Sequence, residues 1–244
     1  VPQIPEEETA QELLEQIRQE KQKLVKEGKL KKFALSDSVI YKGDDNKYYE
    51  QVGKSDKEIT EEIAFDLPNG WSWCRLKDIC SIFTGATFKK EETVTTKEGV
   101  RILRGGNISP FELRIKDDDI FLTKDKVKED IILKENDILT PAVTSLENIG
   151  KMVRVNSDMP NTTVGGFVFI IRLYLKNQWL SKYILYLLSS PFMIDFMKSI
   201  TNKSGQAFYN IGKERLSTAL LPIPSLAEQH RIVAQIEKLF EQLR

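Results

Sequence analysis

Apolar residues return at helical spacing at both ends of this sequence, while most of the stretch between reads as short strands. Ala10, Leu13, Ile17 and Leu24 keep 3–4 spacing, widened by Leu14 and Val25, and Val233, Ile236, Phe240 and Leu243 keep 3-4-3 spacing to the end. A stripe of that period is one face of an α-helix and has to be buried against something. Each stripe also has a start signal. Thr9 with Glu12, and Ser225 with Glu228, have capping-box spacing. The pattern predicts helices over residues 9–32 and from 225 onward. Gly28 weakens or ends the first, and Lys29, Lys31 and Lys32 suit a helix C-terminus. Glu20 interrupts the first seam, so a partner helix is expected rather than a long zipper. The two helices either pack on each other or wait for a partner, with Leu13, Ile17, Leu24, Val233, Ile236, Phe240 and Leu243 as the packing residues. The chain opens on Val1 and stops inside a helical pattern, as a piece of a longer protein would.

Between the helices the period changes. Residues 33–66 carry turn chemistry at Gly43-Asp44-Asp45-Asn46 and a charged run from Ser55 to Glu62, which predicts a linker or loosely ordered arm. After Leu67-Pro68-Asn69-Gly70, the Trp71–Leu76 stretch alternates like an opening strand. Further strands are expected at 80–83, 101–103, 120–122, 137–139, 151–155 and 167–173. The last contains the unbroken apolar run Phe167–Ile171 after Gly165-Gly166, as in a strand buried on both faces. Helices are expected over 179–188 and, after the break at Pro191, over 192–200. The fold class is therefore α/β in the broad sense, an α+β, strand-rich domain with several helices, flanked by N- and C-terminal coiled-coil helices. The expected division is 1–32 helix, 33–66 arm, 67–221 globular domain and 222–244 helix.

The net charge is zero, but its distribution is uneven. Residues 1–70 hold 11 Lys and Arg against 16 acids, residues 71–110 hold 7 against 4, and residues 151–216 hold 9 against 3. A basic middle suits phosphates, since local fields matter more than the sum. Enzyme signatures are missing. His230, the single histidine, lies on the final helix and reads as an exposed polar residue. Cys74 and Cys80 lack zinc-site spacing, and no nucleotide-binding glycine loop occurs. Asp117-Asp118-Asp119 reads as a solvated loop rather than a metal site. No apolar run reaches the roughly 18 residues of a membrane span, and nothing at the start has the pattern of a signal peptide. A cytoplasmic protein without membrane contact is expected.

Several segments together resemble the target recognition domains of type I restriction-modification specificity subunits. Leu67–Leu76 is similar to the family's opening "lP-x-x-W-x-W-x-x-L", and Phe83-Thr84-Gly85-Ala86-Thr87 to its "s-G-x-T-P" turn, with Phe88 where proline is usual. Ile102–Ile108 resembles "i-r-g-x-d/N-I". Leu133–Leu139 resembles "l-k-x-g-D-i-L" with Asn136 in place of glycine, and Asn148–Lys151 resembles "i-G-k". Tyr209–Leu216 followed by Leu221–Val233 is similar to "N-I-x-x-x-x-L … i-P-l-P-P-l-x-E-Q-x-x-I-V", with Ser225 in place of the second proline. The resemblance covers nearly the whole chain, and the order and spacing of the pieces make it specific.

What the resemblance implies is a non-catalytic reader of double-stranded DNA, forming half of a specificity subunit. Methyltransferase subunits would dock on its helices, and a restriction subunit is a further candidate partner, as is a second copy through the terminal helices. No cofactor is expected on this chain, S-adenosylmethionine and ATP belonging to the partner subunits. The candidate DNA contacts are the cations Lys89, Lys90, Arg101, Arg104 and Lys203 and the polar residues Asn107, Thr144, Ser145, Asn148, Gln206, Tyr209 and Asn210. Asn and Gln suit adenine, and Arg suits guanine. Asn210 is equally able to cap a turn, and Tyr209 to sit in a core. Two other functions stay open: the recognition part of a fused restriction-methyltransferase, distinguished by what precedes this segment, and a coiled-coil scaffold that binds no nucleic acid, distinguished by salt-sensitive DNA binding.

Overall fold

Helix α1 (Ala10–Lys26) begins where its capping box sets it: the Thr9 hydroxyl accepts the Glu12 amide, and the Glu12 carboxylate accepts the Thr9 amide. It stops six residues short of Lys32. Gly28 takes a left-handed conformation (φ 73°), and the amides of Gly28 and Lys29 turn back to the carbonyls of Val25 and Leu24. The computed structural model describes residues 4, 7–32, 37–94, 96–204 and 207–243. The apolar face of α1 is buried at Ala10, Leu13 and Ile17 and only half-buried at Leu24. Between them the seam runs through a lysine. Lys21 is buried, ion-paired to Asp37, with Nζ 5.0 Å from the centre of the Tyr174 ring.

The expected arm is largely a sheet. Strands β1 (Ser38–Lys42), β2 (Tyr48–Val52) and β3 (Ser55–Glu58) form an antiparallel meander, with Asn46 and Gly53 at positive φ in its two turns. What orders so polar a stretch is one buried arginine. Arg75, at the end of β4 (Ser72–Arg75), grips Glu50 of β2 with Nε (3.2 Å) and Nη2 (2.7 Å), reaches Glu62 at 2.8 Å and donates to the Thr218 carbonyl at 2.9 Å. Such fork-shaped, charge-assisted bonds are the stronger kind. Burial works against the Glu50 carboxylate, but the Arg75 guanidinium outweighs it and holds the pKa below the usual glutamate value.

After α2 (Leu76–Ile79) the chain runs through β5 (Cys80–Thr84), β6 (Thr93–Val94), β7 (Val100–Leu103), β8 (Ile108–Ser109), β9 (Glu112–Leu113) and β10 (Ile120–Leu122). It continues through β11 (Ile138–Pro141), β12 (Val143–Thr144), β13 (Val153–Arg154), β14 (Thr162–Val164) and β15 (Val168–Leu173). Helices α3 (Gln178–Leu188) and α4 (Pro191–Ser199) follow, the latter capped by Ser190 with Pro191 in its first turn. Then come β16 (Thr201–Ser204), β17 (Phe208–Ile211), α5 (Lys213–Ser217), β18 (Leu220–Ile223) and α6 (Leu226–Gln242).

The chain forms two units. The first gathers the chain up to Cys80, Tyr174–Tyr183 and the chain from Ser217 onward; the second is Ser81–Leu173 with Ile184–Leu216. The second unit thus falls inside the expected globular domain, while that domain's entry and exit belong to the first, where β4 and β18 pair antiparallel, Cys74 opposite Leu221. In the first unit, α6 starts under the Ser225 cap, and the Glu228 carboxylate accepts the Trp71 indole N–H at 3.0 Å.

The second unit holds two four-stranded sheets, β14-β7-β10-β6 and β13-β11-β15-β5, a three-stranded sheet β12-β17-β16 and the small β8-β9 hairpin. Leu103, Leu139, Val153, Val164, Val168 and Ile170 meet in one of its apolar clusters. Val168 to Ile171 are buried as the apolar run predicts, but Phe167 is not part of the strand and is 74% exposed. Two family positions have local reasons. A Cβ on Gly85 would lie 1.8 Å from the Val164 carbonyl oxygen, so only glycine fits. Asn136 has φ 73°, a conformation that glycine adopts freely and asparagine tolerates.

Candidate nucleic-acid interface

The β16–β17 pair grows out of the end of α4, and β12 adds to its other edge. The register sets Thr144 opposite Tyr209 and Tyr209 opposite Lys203; the next row sets Val143 opposite Asn210 and Asn210 opposite Asn202. Paired residues share a face, and neighbours along a strand alternate. One face therefore carries Thr144, Tyr209 and Ile211, which are buried or half-buried. The other carries Val143, half-buried, and Asn202, Phe208 and Asn210, all exposed, with Phe208 at 56%. Lys203, on the inner row, is exposed as well. Arg215 reaches this edge, donating from Nη1 to Asn202 Oδ1 at 3.3 Å and to the Ile200 carbonyl at 3.2 Å.

Four of the candidate contacts, Thr144, Lys203, Tyr209 and Asn210, come together on this one small sheet, and only Lys203 and Asn210 are exposed. Ser145 and Asn148 sit just beyond β12. The Ser145 hydroxyl donates to Glu147 (2.7 Å) and accepts the Asn148 amide (2.7 Å), a turn closed on itself. Gln206 lies outside the described residues.

The other candidates divide. Lys89 and Lys90 are exposed at a short helical turn, where the Glu92 carboxylate accepts the Lys89 amide at 2.7 Å. Arg104 is half-exposed and leans on the Asp118 carbonyl at 3.2 Å. Asn107 and Arg101, expected from the sequence as DNA contacts, are engaged in bonds within the fold. Asn107 is buried: its Oδ1 accepts the Arg104 amide, and its Nδ2 donates to the Arg114 carbonyl (2.8 Å) and to Asp119 (2.6 Å). Arg101 pairs with the same Asp119 at 2.8 Å and lies over the Phe121 ring at 4.8 Å. Asp119 is thus buried and bonded, unlike the exposed Asp117 and Asp118. Burial opposes its charge, yet the Lys116 amide, Asn107 and Arg101 together keep its pKa below the usual aspartate value. A Cβ on Gly105, in the turn between Arg104 and Asn107, would lie 3.7 Å from the Pro141 ring at the end of β11.

Asn202, Phe208 and Arg215 were not singled out by the sequence. The available signal was period-2 alternation on either side of a glycine, Thr201 to Ser204 and Phe208 to Ile211 around Gly205. Of the packing residues, Val233 is buried and Ile236 half-buried, while Phe240 is 40% and Leu243 83% exposed. His230 is exposed as expected, its ring 3.9 Å from that of Trp179. Among the described residues no group of three or more His, Cys, Asp or Glu could hold a metal ion, and no helix is long and apolar enough to cross a membrane.

The family model described as "Type I restriction modification DNA specificity domain" matches residues 68–244. The "Type I restriction enzyme EcoAI specificity subunit" of Escherichia coli is 31% identical over 99% of this chain and 37% of its own length. The "Type I restriction enzyme EcoEI specificity subunit" of the same organism is 26% identical over 99% of the chain and 38% of its own length. The chain thus spans well under half the length of these relatives. Among solved structures, the HsdS subunit from Thermoanaerobacter tengcongensis matches 96% of this chain and 49% of its own, with TM-score 0.51 and 20% identity. A chain from a study of assembly and conformational transition of the type I R-M system matches 73% of this chain and 40% of its own, with TM-score 0.53 and 23% identity. These two likenesses concern the mixed helix-and-strand fold.

Proposed function

Because the chain belongs to the type I restriction-modification DNA specificity family, we propose that it reads one half of a split target in double-stranded DNA for a restriction-modification complex. The observation that carries the reading is the outer face of β12-β17-β16. Asn202, Asn210 and Phe208 stand exposed there, Arg215 bonds to Asn202 at its edge, and the exposed Lys203 lies on the opposite row of the same strand pair, all inside the most basic stretch of the chain. A two-stranded ribbon fits the major groove, where asparagine amides match the donor and acceptor of adenine and cations hold the phosphates. Lys89, Lys90 and Arg104 are among the other exposed cations of the same unit.

The division of labour follows from what each part offers. The second unit reads DNA. The terminal helices, with Leu239, Phe240 and Leu243 exposed on α6, take the methyltransferase subunits, a restriction subunit or a second copy. S-adenosylmethionine and ATP then act on those partners, and this chain contributes position rather than a bond-making step. Its working compartment is the one that holds the DNA.

The test is selection from a randomised duplex pool, followed by a salt titration. Specific enrichment, with affinity falling steeply in salt, is the expected result. Binding indifferent to both sequence and salt would leave the interaction-scaffold reading instead.

A further inference from the structure

Phe208 is a costly residue to leave in water without a use. It is 56% exposed at the start of β17, with its row-mate Asn210 two residues on and Asn202 across the pair. The stretch of sequence that carries it is basic: residues 151–216 hold 9 Lys and Arg against 3 acids. A second exposed phenylalanine borders the same sheet. The Phe167 carbonyl accepts the Ala142 amide (2.8 Å), and the Ala142 carbonyl accepts the Ile211 amide (2.9 Å). An apolar partner surface would be expected to place phenyl rings among leucines and valines, as on the tip of α6. Here the ring shares its face with the amides of Asn202 and Asn210, and Arg215 reaches the same edge through Asn202.

In the major groove one apolar group is available to such a ring, the 5-methyl of thymine. We infer that Phe208 is a specificity-determining contact for a thymine methyl within the half-site, working beside Asn210 and Asn202 on the base edges. This rests on the reading of the outer sheet face as the DNA-reading surface. The spacing agrees with it. Residues i and i+2 of a strand lie about 6.6–6.8 Å apart, and bases along one strand rise about 3.4 Å each. A ribbon lying along the groove therefore sets the Phe208 and Asn210 contacts about two base pairs apart. The basic stretch supplies the complementary charge for this occupant rather than for a hydrophobic protein.

The experiment starts from the duplex that the 244-residue chain selects from a randomised pool. Each thymine is then replaced singly by deoxyuridine, which removes the methyl and nothing else. Wild type is expected to lose about fourfold in affinity at one position, the worth of one buried methyl-sized group. Phe208→Ala should bind the thymine and uracil duplexes equally at that position, while Phe208→Leu keeps part of the preference. Uracil tolerated at every position, or an undiminished preference in Phe208→Ala, would overturn the assignment. Failure of the chain to select any duplex would instead remove the DNA-reading surface itself, and Phe208's role with it. Because the side chain is largely in solvent, loss of the fold does not confound the alanine variant, and its circular dichroism should match wild type.

Discussion

Arg172 ties β15 of the second unit to the segment that leads into β11. From β15 it donates Nε to Asp137 Oδ1 and Nη2 to Asp137 Oδ2, both at 2.7 Å. It also donates to the carbonyls of Asp130 (2.7 Å) and Ile132 (2.8 Å), and it lies over the Phe83 ring at 5.1 Å. Asp137 is 1% exposed, and with Arg172→Ala its carboxylate keeps only the Lys134 amide (2.8 Å) among the bonds described. Removing one partner of a buried pair costs about 3–5 kcal/mol, because the other is left charged and unpaired. Against a total stability of about 5–15 kcal/mol, the unit becomes marginal or unfolds. The assay has to look at the right unit. The three tryptophans, Trp71, Trp73 and Trp179, all lie in the first unit, so their fluorescence reports the wrong half. Amide hydrogen exchange across residues 81–173, with urea titration, isolates the second. The companion variant is Arg172→Met with Asp137→Leu, which replaces both charges by apolar groups and should recover most of the loss. If Arg172→Ala costs less than about 1 kcal/mol, or the double variant is no better than the single, an unpaired buried charge is not what the pair prevents.

Lys203→Ala should weaken DNA binding to a similar degree across sequences and lower the salt slope by about one, as for a lost phosphate contact, whereas Asn210→Ala should relax preference at one base pair by about 1–3 kcal/mol; competition binding at several salt concentrations separates them. Acid should loosen the ion pairs of both units: Glu50 and Asp119 have lowered folded pKa values, so their stabilisation is complete above the ordinary carboxylate range and is lost as pH falls through the folded values. Glu50→Gln should flatten that part of the stability profile below pH 5 in urea titrations. Val233→Asp should unfold the first unit, since Val233 is fully buried, whereas Leu243→Asp should leave both units folded and reduce co-purification with a methyltransferase subunit. Asn136→Ala should cost about 1–2 kcal/mol from its positive φ, and Asn136→Gly less, by thermal denaturation.

Period and capping carried much of the fold into the sequence, and they failed where a charged residue is buried. Thr9 and Ser225 announce two helices because a cap needs only residues within one turn of it. Nothing local announces the β1–β3 meander. Its ordering group, Arg75, lies 25 residues from Glu50 and 143 from Thr218, and a polar stretch held by a distant guanidinium looks like a linker until the arginine is in place. Asp119 misleads for the same reason, reading as solvated yet buried against a partner supplied by another segment.

The candidate site shows the complementary weakness. Residue type alone pointed to Asn107 and Asn210 with equal force, since an asparagine amide suits adenine wherever it stands. The fold separates them by where the amide is spent: Asn107 on Asp119 and two backbone groups, Asn210 on an exposed strand face. Asn202 and Phe208 join Asn210 only through register, and register depends on which residues of β16 and β17 face one another. A slip of one residue would turn Asn210 and Phe208 inward and bring Tyr209 and Ile211 out. The buried Ile211 opposes that slip, because exposing it would forfeit about 1.5–3 kcal/mol of burial. The apolar Ile211 beneath the sheet thus keeps Asn210 and Phe208 facing outward.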